Sequence, residues 1–204
     1  MDTVALFGAA GKIGTRISEK LRRVSQIRTL YVEKGETALA RLRECELAPT
    51  PEAEALAQAD TVVLAIPDTL IGTVAHAIVP KLKPGTLVML LDPAAPHGGE
   101  LPEREDIAYF VVHPCHPPIV NDETAPEARA DFFGGSAKQA IVCALMQGTE
   151  EDYAKGERIA RLMFTPILRA HRITVEQMAI LEPAMAETVI LTCMTMIKEA
   201  IDEA

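Results

Sequence analysis

The sequence predicts an α/β protein built on a doubly wound, mostly parallel sheet and followed by a helical C-terminal segment. Three observations predict it. An apolar run, a glycine-rich turn, an amphipathic stretch and a second apolar run follow one another between Thr3 and Val32. Further short apolar runs alternate with stretches of helical spacing as far as Met146. From Thr174 onward the pattern is helical to the end of the chain. Strands that alternate with helices imply parallel pairing through crossovers, because a tight turn cannot join parallel neighbours.

The elements follow in order. Thr3–Phe7 is a strand ended by Gly8. Residues 12–24 place Ile13, Ile17, Leu21 and Val24 on one helical stripe with Arg and Lys elsewhere. Ile27–Val32 is the second strand, which completes a βαβ unit with a right-handed crossover. Thr37–Cys45 reads as a helix broken by Pro49 and Pro51, and Glu52–Gln58 as a short helix. Thr61–Ile66 is a buried strand stopped by Pro67, and Thr69–Val79 is the next helix. Pro80, Pro84 and Gly85 turn the chain into the strand Thr86–Leu91. Ile107–Val112 is another strand, ending at His113. Residues 114–135 are irregular, and an irregular stretch of that length inside a compact domain points to function or disorder. Gln139–Met146 is a last apolar run. Thr149 with Asp152, and Thr174 with Gln177, have the spacing of capping boxes that open helices. Pro183 either kinks the final helix or begins a new one. Residues 1–148 are therefore expected to form the Rossmann-like α/β domain and residues 149–204 a C-terminal helical segment.

The 204 residues carry a net charge of −9, which argues against nucleic acid or an anionic membrane as the main partner. Cys45, Cys115, Cys143 and Cys193 form no C-x-x-C pair, and no basic n-region precedes the first strand, so reduced thiols and a cytoplasmic location are expected. The most apolar late stretch, residues 189–197, is too short by itself for a membrane span and reads as a buried helix. Little chain remains to cover a helix without a polar face, so a homodimer is expected.

Gly8-Ala9-Ala10-Gly11-Lys12-Ile13-Gly14 lies directly after the first strand and opens the first helix. Gly8 suits a tight turn, Gly11 a close backbone approach to a diphosphate, and Gly14 close helix packing. The helix N-terminus offers free N–H groups to the anion. This is the position of a Rossmann-type nucleotide site, with Ala10, Lys12 and Ile13 in the same turn. Glu33 ends the second strand, where a carboxylate bonds ribose hydroxyls and repels a 2′-phosphate. That favours NAD, while Lys12 and Lys34 leave NADP open. Asp68 stands at the C-terminal edge of the sheet, either at the cofactor or as a helix cap.

His113-Pro114-Cys115-His116-Pro117-Pro118 gathers two imidazoles and a thiol at a strand end, stiffened by three prolines. Imidazole serves as a metal ligand or as an acid–base group near neutral pH. Glu176, Glu182 and Glu187 on the C-terminal helix could complete a metal site, since a cation offsets the cost of carboxylates in an apolar setting. At about 100° per residue, Glu176 and Glu187 share a helix face and Glu182 points elsewhere unless Pro183 resets the direction. Cys115 is alternatively a thiolate nucleophile with a histidine base, as a semialdehyde dehydrogenase would require. Asp92 follows a strand as well, either near a nicotinamide or in a turn. No tyrosine has lysine four residues later, which excludes the short-chain dehydrogenase pattern.

Together the Gly8–Gly14 turn, Glu33, Ala65-Ile66-Pro67-Asp68, His113–Pro118, Asp131-Phe132-Phe133-Gly134-Gly135 and Thr174–Thr188 resemble the D-apionate oxidoisomerase family over nearly the whole chain. The resemblance implies an NAD-binding domain followed by a helical domain similar to the phosphogluconate dehydrogenase C-terminal domain. It implies NAD-dependent oxidation of a branched hydroxy acid with migration of a carboxylate group, similar to ketol-acid reductoisomerase chemistry in the oxidative direction. It implies a divalent cation (zinc, magnesium or manganese) with His116 and Glu187 as ligands. His113 and Glu182 are implied in proton transfer or substrate contact. The chain ends at Ala204 within a helical pattern where related dehydrogenases have further helices, so a shortened C-terminal part is expected. The readings left beside this one are the Cys115-dependent dehydrogenase and a dimeric NAD-binding module without catalysis.

Overall fold

In the computed structural model, residues 1–118 and 120–203 are described, without the side chains of residues 186 and 187. The chain forms β1 (Asp2–Phe7), α1 (Lys12–Leu21), β2 (Ile27–Val32), α2 (Glu36–Glu44), α3 (Glu52–Gln58), β3 (Thr61–Leu64) and α4 (Asp68–Ile78). There follow β4 (Leu87–Leu90), α5 (Ala94–His97), β5 (Ala108–Pro114), α6 (Pro126–Arg129), β6 (Gln139–Gln147) and α7 (Glu150–Met163). The described chain closes with β7 (Ile167–Arg172), α8 (Val175–Glu182) and α9 (Leu191–Asp202).

The strands form one seven-stranded sheet in the order β2-β1-β3-β4-β5-β6-β7. All neighbours are parallel except β5 and β6. The doubly wound α/β fold expected from the sequence is thus the fold observed. Its physical basis is visible in β3 and β4, whose residues are all buried because helices cover both faces. Two apolar clusters lie on opposite faces of the sheet, one around Val62, Leu64 and Ile71, the other around Leu6, Ile17 and Phe110.

The chain winds from β1 outward to β2, then returns to the other side of β1 with β3. This reversal opens a crevice at the carboxyl ends of β1 and β3, the usual ligand position in such sheets. The one antiparallel neighbour has a functional consequence. β5 ends at this same edge, and β6 starts from it and runs back along β5. The irregular connection between them therefore stays at the crevice end of the sheet.

The structure departs from the expected elements at the one-turn helices α5 and α6, at β7 and along the last helix. β7 was not anticipated, because Ile167–Arg172 alternates weakly and lies at the sheet edge, where only intermediate and exposed positions occur. With α7 packed beside α1 and the sheet, residues 149–172 contribute to the sheet unit. At Pro183 the α-helical pattern changes, and the helix continues in another form. A π-helical stretch, Pro183–Ile190, joins α8 to α9, and its wider turn accommodates a residue without an N–H. The resulting helix, Val175–Asp202, has 28 residues and is long and apolar enough to cross a membrane by length and composition. Its α8 part packs on α5 and β6, but among the described residues the expected burial of residues 189–197 does not come from within the chain. Val189, Leu191, Met194 and Ile197 are all exposed.

Two glycines make the first turn possible. Gly8 has φ +78°, and a Cβ there would lie 2.2 Å from the Ala65 carbonyl oxygen. A Cβ on Gly14 would lie 2.0 Å from the Gly8 carbonyl oxygen. Gly14 thus permits the turn to fold against its own helix rather than a helix to pack on a strand. Gly8→Ala is expected to destabilise the fold by about 2–4 kcal/mol, since both the φ and the collision oppose it. A urea midpoint unchanged from the wild type would contradict this account.

Candidate functional site

The glycine turn delivers the chain from β1 into α1 at the head of the crevice. Gly11 is the helix N-cap, with no side chain capping it and no acidic residue in the first turn. The first-turn N–H groups and the positive end of the helix dipole are therefore left for an anion. The Ala10 N–H donates to Glu33 Oε1 at 2.5 Å, which holds the carboxylate across the turn. Beside it lies a cleft of about 340 Å³ walled by Gly8, Gly11, Glu33, Arg41, Pro67 and Leu70. Lys34 also borders the cleft, but its ammonium pairs with Glu52 at 2.8 Å.

The second part of the site lies at the ends of β4 and β5. His113 is on β5, and its Nδ1 lies 2.9 Å from the Leu91 carbonyl oxygen. A carbonyl only accepts, so Nδ1 carries a hydrogen and Nε2 is the working nitrogen. Nε2 lies 3.3 Å from Glu182 Oε1. Glu182 reaches it from the end of α8, which is anchored by buried Met178 and begins with a complete capping box of Thr174 and Gln177. Such a cap stabilises a helix end by about 1 kcal/mol. Asp92 joins them, and one potential ligand atom from each of Asp92, His113 and Glu182 lies within 4.8 Å of the others. Asp92 also serves the turn, accepting from the Ala94 N–H at 2.7 Å. Asp68 opens α4, but Pro67 occupies the cap position and no side chain caps the helix. Desolvation and the nearby Asp92 carboxylate raise the Asp68 pKa, while His113 draws it back.

The third part is the connection after β5. His116 has φ +58°, a backbone conformation that costs a non-glycine residue about 1–3 kcal/mol. Its Nδ1 lies 3.3 Å from the Phe133 carbonyl oxygen, and its ring stacks on the Phe133 ring with centroids 5.7 Å apart. Burial lowers its pKa most, the Phe133 carbonyl opposes this, and Arg16, His113 and Lys12 add to the lowering. Residues 131–137 form a tight loop around Asp131. Its carboxylate accepts N–H bonds from Phe133, Gly134, Ser136 and Ala137 at 2.6–3.0 Å. Desolvation of the carboxyl works against ionisation, yet these four donors outweigh it and hold the pKa far below the ordinary carboxylate range.

The expected residues fall into separate groups. Gly8, Ala10, Gly11 and Glu33 line the cleft. Gly14 closes the turn, Ile13 packs on the core, and the Lys12 ammonium lies 4.6 Å over the Phe133 ring. Asp68 faces the His113 end of the site. His113 and Glu182 meet, as their roles would require. Ideal helical angles turn Glu182 from the face shared by Glu176 and Glu187, yet it is Glu182 that reaches His113 while Glu176 is exposed. His116 is not in the cluster of Asp92, His113 and Glu182, and Glu187 lies outside the residues whose side chains are described. Cys115 is an exposed residue whose thiol pKa is raised by desolvation, the opposite of what an activated nucleophile needs. Arg16 is a residue that sequence reasoning missed, and Asp131 was noted only within the segment that carries the resemblance, without a role. Asp131, with Gly134-Gly135-Ser136 three residues on, is a turn signal that could have been read. Nothing in the sequence marks Arg16 among the basic residues of α1.

The C-terminal residues 121–204 match the family model for the phosphogluconate dehydrogenase (decarboxylating) C-terminal domain. The chain is 52% identical to the D-apionate oxidoisomerase of Rhizobium rhizogenes over 205 aligned positions, covering 100% of this chain and 74% of the relative. It is 51% identical to that of Cupriavidus necator, covering 99% of this chain and 74% of the relative. A crystal structure from Cupriavidus necator, described as a semialdehyde dehydrogenase NAD-binding protein in complex with calcium and NAD, superimposes with a TM-score of 0.94 at 50% identity. That match covers 100% of this chain and 74% of the other.

The Asp131 loop makes a pH prediction. Since its folded pKa is depressed, its stabilisation is complete above the unfolded carboxylate pKa near ~4 and is lost as the pH falls toward the folded value. The urea midpoint of the wild type should therefore fall more steeply than that of Asp131→Asn between about pH 5 and pH 2. Parallel curves for the two proteins would show that the loop carboxylate contributes nothing to the acid limb.

Proposed function

The chain belongs to the D-apionate oxidoisomerase family, and from that premise we propose that it is an NAD-dependent oxidoreductase acting on a branched hydroxy (sugar) acid. The reaction proposed is oxidation of the substrate with migration of its carboxylate group to give an oxo-acid. The observation that carries this reading is the Glu33 carboxylate bonded across the glycine turn, at the head of a crevice whose far end gathers Asp92, His113 and Glu182. The NAD-bound relative, identical at half its aligned positions, supports the choice of coenzyme.

The roles of the chain's own residues follow from placement. The glycine turn and the α1 amides bind the diphosphate, and Glu33 takes the ribose hydroxyls. His113, fixed by Leu91 through Nδ1, holds or moves a proton at Nε2, with Glu182 as its acidic partner. Two carboxylates and an imidazole suit a divalent cation, and the donor chemistry at this end of the crevice fits one. When bound there, such a cation would supply Lewis-acid stabilisation of charge on substrate oxygens. His116 with Glu187 is the ligand pair that the family resemblance implies. Asp92, His113 and Glu182 are a second donor set, favoured by their clustering within 4.8 Å.

We also propose that the protein is cytoplasmic and homodimeric, with the apolar side of α8–α9 as the contact. What supports the contact is the number of large apolar side chains exposed along this one helix, among them Ile180, Leu181, Met185 and Ile201.

NADH absorbance should rise when the protein is given NAD⁺, D-apionate and a divalent cation. Glu33→Ala should raise the KM for NAD⁺ by about tenfold or more, the value of hydrogen bonds to a charged group. Cys115→Ala should retain most of the activity, and its loss would favour the thiol-dependent dehydrogenase instead. NAD binding without turnover of any hydroxy acid would leave only the non-catalytic module. Loss of cation binding in His116→Gln but not in Asp92→Asn would favour the first donor set, and the reverse the second.

The dimer is checked by light scattering. The wild type should run at twice the chain mass and Leu191→Glu at the single mass. A monomeric wild type, or one that partitions into lipid vesicles, would overturn the proposed contact.

A further inference from the structure

One carbonyl in the 131–137 loop meets two side chains that the proposed mechanism does not connect. The Phe133 carbonyl oxygen accepts from Arg16 Nη1 at 2.5 Å and lies 3.3 Å from His116 Nδ1. Arg16 is 5% exposed, and its guanidinium lies about 5 Å from the centroids of both the Phe133 and Phe164 rings. It is therefore a fixed post rather than a mobile surface cation. Lys20, one turn further along α1, donates to the Gly135 carbonyl at 2.5 Å. Basic side chains on one face of α1 thus grip the backbone of the loop from outside. From inside, the Asp131 carboxylate gathers the N–H groups at 133, 134, 136 and 137. With its N–H groups turned onto Asp131, the loop presents its carbonyls to α1 and to His116.

We propose that Asp131 and Arg16 are positioning residues that lock the tautomer of His116. They hold the Phe133 carbonyl where it can accept only a proton on Nδ1, leaving the Nε2 lone pair for the substrate or its cation. The left-handed backbone at His116 supports this. A strained conformation persists only where its surroundings over-determine it, and here a ring stack and a carbonyl both fix the side chain. Cys115 adds a third anchor, donating its N–H to the Ala140 carbonyl at 3.0 Å on β6. The arrangement also ties the two halves of the site together. The helix whose first turn faces the diphosphate cleft holds, along one side, the loop that aims His116.

The inference rests on the proposed reading only in giving His116 a task in the reaction. The lock itself is measurable without turnover. The full chain labelled with ¹⁵N-histidine is studied by long-range nitrogen–proton correlation at neutral pH, with the His116 signals assigned by their loss in His116→Gln. In the wild type, Nδ1 should show the protonated signal and Nε2 the proton-free one. In Asp131→Asn the two ring nitrogens should move toward the averaged positions of exchanging tautomers. Steady-state kinetics of the same variant should show kcat lower by about tenfold to a hundredfold, the cost of a misplaced group, with the KM for NAD⁺ unchanged. A wild-type His116 protonated on Nε2 would overturn the proposal whether or not any variant folds. So would an Asp131→Asn protein with the wild-type ring signals. A chain that shows the lock but never reduces NAD⁺ would sink the proposed reaction and leave the positioning claim standing.

Discussion

The first helix must keep its amino end bare and its flank occupied, and most of the site depends on that constraint. At the end, Gly8, Gly11 and Gly14 leave no side chain between the helix amides and an incoming anion. A Cβ on Gly8 or Gly14 would meet a backbone carbonyl within 2.2 Å, so neither position has a substitute. Along the flank, Arg16 and Lys20 are committed to the carbonyls of the 131–137 loop. A helix that was only a diphosphate cradle would leave those cations in solvent.

The sheet order makes this double use possible. Winding outward to β2 and back to β3 puts the crevice beside β1, and α1 packs directly behind it. The antiparallel β6 then keeps the connection after β5 at the same edge. A parallel β6 would have required a crossover down the face of the sheet, and the histidine segment would have been drawn away from the cleft. The acidic groups at this edge also serve different ends. Asp131 is neutralised in effect by four amides, and Glu33 accepts from one. Asp92 and Glu182 instead gather around one imidazole, that of His113.

How far the site could be read in advance differs residue by residue. The glycine turn and Glu33 are legible because their function is local: one follows β1, the other β2, and the pairing of those strands sets their separation. His113 is legible as a strand-end histidine. Its partner is harder, because ideal α-helical angles along residues 175–187 turn Glu182 away from the face shared by Glu176 and Glu187. Where α8 docks, through Met178 and the Thr174 cap, decides which acid arrives. The last helix shows the same limit from another side. Its apolar composition suggests burial, yet within one chain it is exposed, because composition does not say which surfaces the fold brings together.

The sequence by itself determined the alternation of strands and helices, the nucleotide turn and its acidic companion, and the concentration of imidazoles at one strand end. These depend on periodicity and on neighbours a few residues apart, which the order of residues encodes directly. Tertiary structure alone decided that β6 runs against β5, that a π-helical stretch follows Pro183, that Asp92 and Glu182 gather near His113, and that Arg16 shares a carbonyl with His116. Each of these joins groups far apart in the chain through packing or through one hydrogen-bond acceptor. No local pattern carries that information, because the partner is chosen by the way the layers stack.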